Sequence, residues 1–159
     1  MYKAATGPVE DEPMNTTLAI LVPVLLLSGC QNAASDDEQR VPTMSVNDLM
    51  VTIMTPATDT IWGIENPQTD EDWQVFIDAA NVVIEAGETI KVGGTGPNDN
   101  DWAGDPAWDV FAERIIAAGA DTIKAAESRD VDAMYAAGEA LYSPCEECHI
   151  QFHPGFQEQ

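Results

Sequence analysis

Near the C-terminus, the run Cys145-Glu146-Glu147-Cys148-His149 gathers two thiols and an imidazole. On a helix Cys145 and Cys148 stand at i and i+3, and His149 at i+4, so all three project from one face. Two thiols at that spacing can bond the vinyl groups of a porphyrin, and the adjoining imidazole can ligate its iron. C-x-x-C-H is the attachment signature of a c-type haem. The motif therefore predicts one haem c per chain, with Cys145 and Cys148 as covalent attachments and His149 as the proximal axial ligand.

Three other chemistries use the same residues less well. A thioredoxin-type C-x-x-C calls for a βαβ context, and no alternating strand pattern surrounds this one. A structural zinc site needs four ligands; with His153 as the fourth, the sequence neighbours Cys148 and His149 would have to share one tetrahedron. A disulfide between Cys145 and Cys148 leaves His149 without a role.

The elements that position these residues read as helices. Ser45-Val46-Asn47-Asp48 opens the first in the manner of a capping box. Val46, Leu49/Met50, Ile53/Met54, Ala57 and Ile61 carry it to about Trp62, with a kink expected at Pro56. The second opens at Thr69 with Asp70, Glu71 and Asp72 at the positive end of the dipole, and runs to about Val92. Gly93 to Asp101 follows as an expected surface loop. It lacks the lysine of a phosphate loop, and Asp99, Asp101 and Asp105 lack the order of a calcium-binding EF-hand.

Asp105 as N-cap and Pro106 at the first helical position start the third helix, which ends near Ser128. The fourth begins near Asp130 and passes Met134, Ala137/Gly138 and Leu141 directly into the Cys145–Cys148 face. Pro144 is expected to loosen the backbone there, and Pro154-Gly155 to stop the helix. No stretch alternates like a strand. The expected fold is all-α, an antiparallel four-helix bundle over residues 45–159 with one covalently attached haem. About 115 residues from Ser45 onward suffice for one core.

The N-terminal part reads as an address. Leu18 to Leu27 is an apolar run too short to span a bilayer, and it suits a signal-peptide core. Leu27-Ser28-Gly29-Cys30 resembles a bacterial lipobox, so residues 1–30 are expected to be a lipoprotein signal with Cys30 lipidated. Glu10, Asp11 and Glu12 precede Met14, which is the simpler translation start. An ordinary cleaved signal with an incidental cysteine is the alternative. Residues 31–44 are small, polar and acidic, a tether between lipid and domain. Three cysteines divide into one for lipid and two for haem. Both assignments ask for the periplasmic side of a bacterial membrane.

Six basic residues stand against 28 acidic ones, a formal charge of -22. Phosphate binding needs basic patches, so nucleic acid is excluded as a partner. Membrane contact is left to the lipid. The acidity suits either a basic redox partner or a saline surrounding.

A single haem motif on the last of four helices resembles the class II c-type cytochromes, the cytochrome c-prime family, over about residues 45–155. That family reads C-x-x-C-H-x-x-aromatic-basic after the motif. Phe152 matches it, while His153 stands where arginine or lysine is usual, a departure that could make the site pH-sensitive. The resemblance implies a distal residue from the first helix, in an Arg-Gln-x-x-Met pattern that falls on Met50, with Val46-Asn47 in place of Arg-Gln. Met54 is the reserve.

Ligation by methionine implies a low-spin electron carrier; a methionine that merely packs there implies a five-coordinate site for nitric oxide or carbon monoxide. Pairing of two copies through the first two helices is a further implication. With only two histidines and no catalytic constellation, no enzymatic activity is expected.

Overall fold

The computed structural model describes residues 42–65, 67–153 and 155. The signal, Cys30 and most of the tether lie outside the described residues. The described fold is all-α: α1 (Val46–Leu49), a π-helical turn (Met50–Met54), α2 (Thr55–Trp62), α3 (Asp70–Val92), α4 (Asp99–Ala103), α5 (Pro106–Ser128) and α6 (Val131–Phe152). No strand occurs among the described residues, and no helix there is long and apolar enough to cross a membrane.

The helix starts follow their side chains. Ser45 Oγ accepts the Asp48 N–H at 3.0 Å. Thr69 Oγ1 accepts the Asp72 N–H at 3.1 Å, while the Asp72 carboxylate accepts the Thr69 N–H at 2.9 Å, a closed capping box. Asp105 and Asp130 cap α5 and α6 through the N–H groups of Ala107 and Ala133. The turn between α5 and α6 is tight because Arg129 adopts the left-handed region at φ 55 and returns its N–H to the last carbonyls of α5.

Two expectations for the helices need correction. Pro56 does not itself carry a kink: it sits in the first turn of α2, and the irregularity lies just before it. There the Thr55 N–H donates to the Met50 carbonyl five residues back, forming the π-turn. A proline lacks the N–H that would continue the i→i−4 ladder, and the segment adapts ahead of it. Pro144 lies fully buried within α6, and the helix runs through it uninterrupted to Phe152. Burial of the ring in a packed helix face offsets the one hydrogen bond that proline removes.

α3 packs chiefly against α5, and α5 against α6, while α2 meets α3. A Cβ at Gly87 would stand 2.7 Å from Ile116 Cγ1, so glycine permits the close approach of α3 and α5. The principal core runs from Val46, Leu49 and Met54 through Val83, Ile90 and Ile115 to Leu141 and Cys148. A second cluster, with Trp73, Phe76, Ala126 and Met134, fills the other region. Among the described residues no buried side-chain nitrogen or oxygen lacks a hydrogen-bond partner.

Candidate functional site

The last two turns of α6 carry the motif. Cys148 is buried, and Cys145 and His149 are half-buried. Both thiols are free of disulfide. Burial pushes the Cys145 thiol up to about 11. Burial, with Cys145 as neighbour, pushes Cys148 up to about 12. Both therefore remain protonated at neutral pH. The reactive thiol of a redox C-x-x-C is held in the opposite direction. Among the described residues no group of three or more His, Cys, Asp or Glu is placed to hold a metal ion by itself. Burial, then the charge of His153, lowers the His149 pKa and favours the neutral imidazole, the form that ligates a metal.

Cys148 and His149 line a cavity of about 250 Å³, and Met50, Val51 and Thr55 of the first helical run also line it. Phe152 and His153 join the lining, so five of the residues singled out by sequence meet at one place. Cys145 packs on the adjoining core, one turn before Cys148. Met54 does not line the cavity; it is buried in the core beside Leu49 and Ala57. The His149 and His153 rings stand 6.1 Å apart, with His153 exposed.

The rest of the wall is aromatic. Trp108 stacks on Trp102 at 5.6 Å and meets the edge of Phe152 at 5.1 Å. The Trp108 indole N–H donates to the Ile90 carbonyl at 2.8 Å, which fixes the ring. Trp102 comes from α4, which begins at Asp99 inside the stretch 93–101 expected to be a plain surface loop, and that expectation is overturned. Asp99 in the same stretch is only 3% exposed, and its carboxylate accepts the N–H groups of Val46 at 2.9 Å and Gly96 at 2.7 Å. The segment thus holds the start of the Met50 helix and contributes a wall to the cavity. An acidic residue followed by tryptophan in a glycine-rich stretch was the available signal, but nothing local says that Asp99 would be buried.

α6 is also fixed from its outer side. Arg114 of α5 donates to both oxygens of Glu147, at 2.7 and 2.9 Å, and to Ser143 Oγ at 3.0 Å. That forked pair, helped by Ser143, holds Glu147 down at about 2. The second variable residue of C-x-x-C-H is therefore a clamp on the helix that carries the motif.

The donor set fits a covalent haem: two protonated thiols and a neutral imidazole on one helical face, beside an apolar cavity with a thioether also in its lining. The volume is below the roughly 300–1,000 Å³ of sites that enclose a drug-sized ligand, so a large planar group would lie partly outside it. No family model, curated protein or solved structure matches the chain.

Proposed function

We propose that the chain is a monohaem c-type cytochrome that carries electrons, with its fold an antiparallel four-helix bundle formed by residues 46–62, α3, α5 and α6. In this reading it is exported and held by lipid on Cys30 at the periplasmic side of a bacterial membrane. The observation that carries the reading is the shared cavity of Cys148, His149 and Met50. Haem, when bound, supplies a one-electron iron couple.

The chain's own residues do the rest. Cys145 and Cys148 would hold the macrocycle, and His149 would present a neutral imidazole to its iron. Met50 would offer a thioether as a further ligand, which would favour a raised potential. Trp102, Trp108 and Phe152 keep water from one side of the site. The acidic surface would favour a basic redox partner.

A second reading, a five-coordinate cytochrome binding nitric oxide or carbon monoxide, draws on Val51 and Thr55. They line the cavity beside Met50 and give space on that side if Met50 only packs. Absorption spectroscopy of the purified protein separates the two. A low-spin ferrous spectrum that turns high-spin in Met50→Ala supports the carrier. A high-spin ferrous band with rapid carbon monoxide uptake in the unaltered protein overturns it.

A further inference from the structure

On another side of the molecule, Trp62 at the end of α2 lies against α6. Its indole N–H donates to the Gly138 carbonyl at 2.9 Å, and its ring meets Tyr142 edge-on at 6.2 Å. A Cβ at residue 138 would stand 3.3 Å from Trp62 Cδ1, so glycine lets the indole lie this close. The result is a groove of about 420 Å³ whose lining includes Trp62, Tyr135, Glu139 and Tyr142.

Trp62 is 42% exposed, Tyr135 58% and Tyr142 53%. They are the exposed aromatic side chains among the described residues, and all three line this one groove. Rigid, half-exposed tryptophan and tyrosine are the side chains from which interface hot spots are built.

We propose that this groove is the docking surface for a lysine-rich protein partner. Among the described residues, its only charged lining residue is Glu139, and no lysine or arginine lines it. Along the exposed face of α6, Asp132, Tyr135, Glu139, Tyr142 and Glu146 recur at helical spacing, so acid and aromatic rings alternate. Tyr142 Oη donates to Glu146 at 3.4 Å within that stripe. Ammonium groups pair with the carboxylates and lie over the ring faces, both favourable. A second copy of this chain would bring the same acidic stripe and a charge of -22 against its own kind, which opposes self-pairing here. Tyr142 is one helical turn before Cys145, about 4.5 Å along the axis, so a partner seated here lies close to the motif. That the partner exchanges electrons rests on the haem reading; the docking surface does not.

The test uses the full protein, its haem content measured separately, and a small lysine-rich cytochrome as the probe. Binding is followed by calorimetry at moderate salt, with carbodiimide coupling of lysines to carboxylates mapped by mass spectrometry. Coupling is expected at Glu139 or Glu146. Tyr142→Ser and Tyr135→Ser should each weaken binding about tenfold. Glu139→Gln should weaken it more than Glu85→Gln, an equal loss of charge on α3. Unchanged melting temperatures show that the variants fold. Absence of binding, equal effects at Glu139 and Glu85, unaffected tyrosine variants, or self-association that the tyrosine variants abolish would each overturn the proposal. A protein without haem would remove the electron-transfer reading and leave the binding result to stand or fall alone.

Discussion

The Asp99 carboxylate accepts the backbone N–H of Val46 at 2.9 Å across 53 residues of chain. That contact makes the segment between α3 and α5 the anchor for the first helical run, on which Met50 sits. Removing it leaves a buried N–H unpaired, at a cost of about 1–3 kcal/mol. Asp99→Ala should therefore lower the melting temperature by about 5–10 °C, and Asp99→Asn by less, because an amide oxygen can still accept. Thermal denaturation checks both.

The two tryptophans of the cavity wall should separate in their effects. Trp108 is almost fully buried and hydrogen-bonded, so Trp108→Ala is expected to cost about 3–5 kcal/mol. Trp102 is half-buried on a short helix and contributes mainly its ring contacts. Trp102→Ala should cost about 0.5–1.5 kcal/mol beyond its lost burial. Urea unfolding gives the comparison, and equal costs would contradict it.

The start of α3 carries a pH signature. The backbone N–H of Gln68, then the N–H and hydroxyl of Thr69, hold the Asp72 carboxyl below its ordinary 3.8. A depressed carboxylate contributes stability above its unfolded pKa and loses it as pH falls through the folded one. The gap in melting temperature between the unaltered protein and Asp72→Asn should thus be full above about pH 4 and close below it. A gap that widens on acidification would reverse the sign.

Met50 and Met54 should part by readout. Met54 is 4% exposed in the core, so Met54→Ala is expected to cost about 2–5 kcal/mol and leave the spectrum of the loaded protein unchanged. Met50 is half-buried at the cavity. Met50→Ala should change the spectrum at little cost in stability. On the haem reading, absorption spectra and melts of the two variants decide which methionine would face the iron.

The long helices were legible because their signals are local. Thr69, Asp105 and Asp130 cap where they stand, and Trp73, Phe76, Ala80 and Val83 repeat at helical spacing onto the buried face. That Cys145, Cys148 and His149 lie together within one turn of α6 was legible for the same reason. Asp99 was not, because its burial depends on a partner 53 residues away. Nor was the π-turn at Met50–Met54, which follows from how Pro56 is accommodated once Leu49 and Ala57 are both packed. Arg114 and Glu147 meet only after α5 and α6 pair.

The most direct test of the account is the intact mass of the full protein expressed in a bacterium that attaches c-type haem outside the cytoplasm, taken after acidified-acetone extraction. The account predicts a chain heavier by one haem, with the added mass lost in a Cys145→Ala, Cys148→Ala double variant. A chain at its bare polypeptide mass, with or without lipid, would contradict it.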